Sequence, residues 1–170
     1  MTAVAGVFEG LILIPVPGQA GPLPPDVPSV ALAIGGTYLI PLTDAVRARF
    51  RQADRDAGTV VGFHELTQDI ARWAQELSRG WMVLCVHCEF FGGEGIQAAI
   101  AWQHESVIFG PCFTRTRGEL PHPPYRAADP PDMAINAGLR ALGIQAGGRH
   151  DEFATVGLDR HRWTNDWTTG

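Results

Sequence analysis

Residues 81–103 read WMVLCVHCEFFGGEGIQAAIAWQ, and the fold turns on them. Side chains alternate sides along an extended chain. Met82, Leu84, Val86, Cys88 and Phe90 therefore share one face, which is wholly apolar and reads as the core face. Trp81, Val83, Cys85, His87, Glu89 and Phe91 share the other. That face carries two ionisable groups, His87 and Glu89, roughly 7 Å apart along the strand. It reads as half-solvated, because antiparallel sheets commonly wet one side. The glycines of Phe91-Gly92-Gly93-Glu94-Gly95 turn the chain, and residues 96–103 return as a partner strand. Matching polar face to polar face predicts that Gln97 joins His87 and Glu89 in one polar patch.

Working outward, residues 4–15 read as a strand. Residues 31–34 and 37–40 flank Gly35-Gly36, whose freedom at positive φ predicts a type I′ hairpin. Thr43 or Asp44 caps a helix that runs to about residue 57 and closes at Gly58. Its Arg47, Arg49, Arg51 and Arg55 point away from Val46 and Phe50, as a solvated basic face. A helix over 65–79 carries the stripe Leu66, Ile70, Trp73, Ala74 and Leu77, and stops at Gly80. Beyond the central hairpin, residues 106–111 add a strand. Asp132 or Met133 then opens a helix with the stripe Ile135, Leu139 and Leu142, ended by Gly143. Six of the 13 prolines lie in 15–28 and five in 121–131. Proline cannot donate to a ladder, so both segments read as long loops. The order predicts a single domain over 1–170 of α+β class: a mainly antiparallel sheet with about three helices packed on one face.

Composition excludes more than it selects. With 45% apolar and 18% charged residues, the chain is too greasy for disorder. The net charge of -5 argues against general nucleic-acid binding and against an anionic membrane surface. All 13 basic residues are arginine. None precedes Arg47, so the basic start of a secretory signal is missing. No uninterrupted apolar run of about 18 residues offers a membrane span. The three cysteines, Cys85, Cys88 and Cys112, are odd in number and read as reduced thiols of a cytoplasmic protein.

The chemical motifs are few. Cys85-Val86-His87-Cys88 holds a C-x2-C, but on a strand its sulfurs point opposite ways and cannot grip one ion. We therefore expect neither metal nor cofactor. Gly92-Gly93-Glu94-Gly95 lacks the Lys-Ser/Thr of a phosphate loop and carries an acid inside it. The tail gathers His150, Asp151 and Glu152, then Asp159, Arg160, His161 and Arg162, with Trp163 and Trp167 beyond. Asp151 suits the N-cap of a short helix with salt-linked neighbours. Tryptophan and arginine also suit a partner surface.

Three segments carry a resemblance: FFGGEGIQAAIAW (residues 90–102), INAGLRALGI (135–144) and DEFATVGLDRHRW (151–163). Together they resemble small uncharacterised proteins of high-GC bacteria over the C-terminal half. Their Gly-Gly-x-Gly-x-Gln turn is the most specific element. In size and architecture such chains are similar to immunity proteins, which neutralise a cognate toxin. The resemblance implies a protein partner and brings no activity with it. The first expectation is thus a protein-binding module of the immunity type, whose acidic balance steers a basic toxin domain. The expected partner surface comprises His87, Glu89, Glu94, Gln97, Asp151, Glu152, Asp159, Arg160, His161 and Trp163. The alternative is a small enzyme or ligand-binding protein using the His87/Glu89 face or the 150–161 tail. The third is a homodimer with the central hairpin as its two-fold interface.

Overall fold

The alternating segment forms β4 (Trp81–Phe91), an 11-residue strand in a computed structural model that describes residues 5–19, 21–50, 60, 63 and 66–168. The other strands are β1 (Ala5–Pro15), β2 (Val30–Ala31), β3 (Tyr38–Pro41), β5 (Glu94–Gln103), β6 (Ser106–Arg115) and β7 (Arg126–Ala127). They make one seven-stranded sheet in the order β2-β3-β1-β4-β5-β6-β7. Every pairing is antiparallel except β6 with β7. The fold is α+β with a mainly antiparallel sheet.

The helices do not gather on one face, and this corrects the expected layering. Among the described residues there are four, α1 (Asp44–Ala48), α2 (Gln68–Leu77), α3 (Ala134–Ala141) and α4 (Glu152–Thr155). Leu84, Val86 and Cys88 of β4 pack with Ile135 and Leu139 of α3 in one core cluster. Val83 and Cys85 pack with Val46 of α1 and with Ile70 and Ala74 of α2 in a second cluster on the opposite face. The cause lies in β4 itself. It is an inner strand, and Trp81, Val83 and Cys85 make its supposed wet face apolar over half its length. Ile70 and Leu139 are fully buried, each contributing roughly 2 kcal/mol by apolar transfer. Cys85 and Cys88 fall in different clusters, as the alternation requires.

Turn chemistry departs from expectation in an instructive way. The Thr37 amide donates to the Ile34 carbonyl at 3.1 Å, closing a turn over Gly35-Gly36. Only Gly36 has positive φ there, at 81°. That is the pattern of type II, not type I′. The type I′ signature sits instead at Gly92 and Gly93, with φ of 60° and 87°. The resulting two-residue loop pairs Phe91 with Glu94, and so sets Cys88 opposite Gln97. Gln97 therefore lies on the α3 face, away from His87 and Glu89. The expected three-residue patch does not form.

Gln97 has another task. A helix leaves its first amides without internal partners. The Ala134 amide donates to Thr114 Oγ1 at 2.8 Å, and the Ile135 amide donates to Gln97 Oε1 at 3.0 Å. Two strands thus cap α3 through their side chains. At the other end Gly143 adopts φ 91° and the Ile144 amide donates to the Leu139 carbonyl at 2.9 Å, a Schellman closure.

α1 ends at Ala48, well short of residue 57; residues 51–59, which hold the rest of the predicted helix, lie outside the described residues. The Pro-rich 121–131 segment is not a bare loop. It contains β7, paired through Thr114 with Arg126, and a 3-10 turn at Pro130–Asp132. Residues 16–19 and 21–29 hold no helix or strand. Among the described residues, no helix is long and apolar enough to cross a membrane.

Candidate functional site

The β1–β4 register places Glu9 directly opposite His87, and Val7 opposite Glu89. All four side chains share the α1/α2 side of the sheet. There His87 is only 1% exposed and Glu9 only 2%, so the half-solvated reading of this face is wrong at its centre. Buried charges need partners, and here they form a chain. Arg47 Nη2 donates to Glu9 Oε2 at 2.6 Å. The same oxygen stands 3.4 Å from His87 Nδ1, and His87 Nε2 stands 3.4 Å from Glu89 Oε2. Arg47 is fixed by its Nε–H, which donates to the Leu42 carbonyl at 2.9 Å. It is thus an anchor with a side chain 12% exposed, not part of a solvated basic face.

Electrostatics follow the geometry. Burial pushes the His87 imidazole pKa down, but the Glu9 and Glu89 carboxylates on either side outweigh it, and the net shift is upward. Tyr125 is pushed up by burial and by the same two carboxylates, which places its phenol in their field. Burial raises the Cys85 thiol well above its ordinary value and pushes Cys88 up to about 12.

The tail completes the site. β3 covers β1 only from Gly10 to Leu13. The exposed edge before it is taken by Trp163, which bridges to Val7 in parallel. The Glu9 amide donates to Thr164 Oγ1 at 3.1 Å. Two adjoining concavities result. A polar cleft of about 270 Å³ is lined by Glu9, Asp44, Arg47, His87, Glu89 and Trp163, among others. A wider groove of about 590 Å³ runs past Val7, Glu89, Phe91, Glu94, Leu120 and Trp163. Val7, Glu89 and Trp163 belong to both. Among the described residues, the only hydroxyl lining the cleft is that of Thr164, already engaged with the Glu9 amide and, at 3.4 Å, the Val7 carbonyl.

Of the residues expected to form a partner surface, the fold brings His87, Glu89, Glu94 and Trp163 around these two concavities. The others serve elsewhere. Asp151 caps α4 by accepting from the Ala154 amide at 2.8 Å, and its second oxygen accepts from Asn136 at 3.2 Å. Glu152 is buried against Arg140 at 3.3 Å. Asp159 pairs with Arg149 at 3.1 Å. Arg160 lies 5.1 Å over the Trp167 ring, and His161 packs edge-on to that ring at 4.9 Å. Gln97 and Asp151 line a neighbouring pocket of about 290 Å³ on the α3 side, together with Glu89 and Glu94. The tail residues are therefore mainly a structural brace: Asp159 and His161 line one small pocket, and Asp151 lines another.

Sequence reasoning missed Glu9, Arg47, Tyr125, Glu119 and Leu120. Glu9 had a signal: it is the one charge in a strand otherwise apolar over Val7-Phe8-Glu9-Gly10-Leu11-Ile12-Leu13-Ile14. Compared with protein-family models, with curated proteins and with solved structures, the chain finds no match in any of the three.

Proposed function

We propose that this chain is a protein-binding module that holds a basic, partly apolar segment of a partner, in the manner of an immunity-type inhibitor covering a toxin. One observation carries the reading. Six large apolar side chains are exposed among the described residues, and four of them, Val7, Phe91, Leu120 and Trp163, line the single wide groove. Contiguous exposed apolar surface marks interaction sites. The same groove carries the carboxylates of Glu89, Glu94 and Glu119, and among the described residues no arginine lines it. Apolar anchors ringed by acids fit a segment that alternates aliphatic and cationic residues. A cytoplasmic location belongs to the same reading and suits the three free thiols.

The test is NMR mapping with short synthetic peptides. A peptide alternating arginine and leucine should perturb the amides of Phe91, Glu94, Leu120 and Trp163, and one alternating glutamate and leucine should not. Phe91→Ser and Leu120→Ser, at sites 67% and 81% exposed, should weaken that binding about tenfold without lowering stability. Binding indifferent to both variants would remove the groove as the partner site.

The Glu9–His87–Glu89 chain beside the polar cleft, buried at Glu9 and His87, favours a second reading, a small-ligand site at the His87/Glu89 face. The tail version of that reading is weaker, because Asp159 and His161 line one small pocket of about 190 Å³ while Asp151 lines a different one. The central hairpin is poorly placed for a two-fold interface, since β4 and β5 are both paired along both edges.

A further inference from the structure

We propose that the polar cleft beside the groove is an arginine pocket: it receives the guanidinium of one arginine from the partner segment. This rests on the groove being the docking surface, since the two concavities share Val7, Glu89 and Trp163 as a common wall.

Charge selects a cation. Three carboxylates line the cleft, those of Glu9, Asp44 and Glu89, against the one guanidinium of Arg47. Net negative charge remains among these lining groups whether His87 is neutral or protonated. Arg47 is held at the cleft wall by Glu9 at 2.6 Å and by the Leu42 carbonyl at 2.9 Å. An independent observation points to a missing donor. Glu9 is 98% buried, lines the cleft, and its Oε1 has no hydrogen-bond partner. A buried carboxylate oxygen without a donor is costly, and a cation in the adjoining cleft would offset the negative charge of that side chain through the low-dielectric wall.

Shape and chemistry narrow the cation to arginine. The cleft, at about 270 Å³, admits a side-chain head group and not a folded element. Trp163 stands at its rim, 47% exposed, and offers an aromatic surface to a planar cation. A guanidinium is weakly hydrated and presents donors in several directions, which suits a cleft lined by both Glu89 and Asp44. An ammonium is a strongly hydrated point charge and loses more on entering a half-closed cleft. The asymmetry of the two concavities gives a register: the apolar residues of the segment lie against Phe91 and Leu120, and the arginine turns inward past Glu89.

The experiment is an NMR titration of the full chain with N-acetyl-arginine amide, with the neutral isostere N-acetyl-citrulline amide as the comparison. The arginine amide should shift the signals of Glu9, Asp44, His87, Glu89 and the Trp163 indole, and the citrulline amide should leave them in place. Asp44→Asn alters an exposed residue that lines the cleft but not the groove, and should weaken the arginine amide severalfold. Glu119→Gln alters only the groove and should leave it unchanged. Equal shifts with the citrulline amide, or no shifts with the arginine amide, would overturn the pocket. If the arginine amide fails while the arginine–leucine peptide still binds in a manner dependent on Phe91, the pocket falls and the groove stands. If both fail, both readings fall.

Discussion

Glu9 and His87 are direct cross-strand partners between β1 and β4, and Glu9 Oε2 lies 3.4 Å from His87 Nδ1 in a setting almost closed to water. That one carboxylate also holds Arg47 of α1 at 2.6 Å. It therefore ties a helix, an inner strand and the site histidine together. Removing one partner of a buried ion pair strands the other. Glu9→Gln should cost about 3 kcal/mol by that precedent, read as a lower urea midpoint with an unchanged slope. It should also lower the His87 pKa in an imidazole NMR titration, because Glu9 is the larger of the two upward influences. An unaltered midpoint would show that Arg47 and His87 draw nothing from Glu9.

The raised His87 pKa gives stability a pH dependence of definite sign. The groups facing the imidazole are Glu9 from β1, Arg47 from α1 through Glu9, Glu89 from β4, and the Tyr125 phenol in the field of both carboxylates. A basic group whose folded pKa exceeds its unfolded value binds its proton more tightly when folded. Its contribution is complete below the unfolded value, about 6.5, and is lost as pH rises through the folded one. Urea midpoints should therefore fall from pH 6 to pH 8. The slope should flatten in His87→Gln, which keeps a polar side chain between Glu9 and Glu89. A rise in stability over the same interval in the parent protein would contradict the sign of the shift.

These two residues also show where the sequence was legible and where it was not. The strand itself was readable, since alternation and glycine placement locate β4 to the residue. Its two-sided burial was readable in principle, from Trp81, Val83 and Cys85 on the face that also carries His87. The misplacement of Gln97 came from matching polar face to polar face, whereas the two-residue loop sets Gln97 opposite Cys88. A register shift of one moves every side chain of β5 to the other face. The pairing of Glu9 with His87 was not readable at all. It depends on which strand lies beside β4, a long-range choice between β1 and β3 that local pattern does not encode. The groove was half legible: Glu89, Glu94 and Trp163 stood out as charged or aromatic, whereas Leu120 lies in a polar, Pro-flanked segment that gave no sign of facing them.

Gln97 makes the register testable through a helix end. Gln97→Ala leaves the Ile135 amide without its acceptor at the buried start of α3. Loss of a helix cap costs about 1 kcal/mol, and a drop of that size should appear in thermal unfolding. Thr114→Val removes the neighbouring acceptor, that of Ala134. The two losses should not simply add, since both act on one helix terminus. Gln97→Glu keeps an acceptor and places a negative charge at a helix N-terminus, so it should restore most of the stability. No change in Gln97→Ala would mean that Gln97 faces the other way.

The thiols report on the same two faces. Cys85 and Cys88 are both buried and their thiols are pushed up, Cys88 to about 12, mainly by burial. Thiolate is the reacting form. Cys112 is only partly buried on β6. Iodoacetamide on the native protein at pH 8 should therefore modify Cys112 first, and Cys85 and Cys88 only as the chain unfolds. Peptide mapping by mass spectrometry reads the order directly. Early labelling of Cys85 would mean that the α1/α2 face opens in the native state.

The turn between β5 and β6 offers the cleanest route to a more stable protein. Gln103 pairs with Ser106, so His104 and Glu105 are the two residues of a tight hairpin loop. Both have positive φ, at 49° and 65°. L residues with a Cβ adopt that region at a cost of roughly 1 kcal/mol each, and Asn-Gly fits such a turn best. The backbone bonds that hold this loop do not need either side chain. The His104 amide donates to the Ser78 carbonyl at 2.8 Å, and the Glu105 amide donates to Ser78 Oγ at 2.9 Å. Among the described residues, the one side-chain interaction lost is the exposed Arg79–Glu105 pair, and exposed pairs contribute little. The double replacement His104→Asn with Glu105→Gly should therefore raise stability by about 1 kcal/mol, visible as a higher thermal midpoint. Because the loop does not line the cleft or the groove, peptide and arginine-amide binding should be unchanged. A lower midpoint would mean that the Arg79–Glu105 pair outweighs the relief of backbone strain, and Glu105→Gly alone, set beside Arg79→Ala, would separate the two terms.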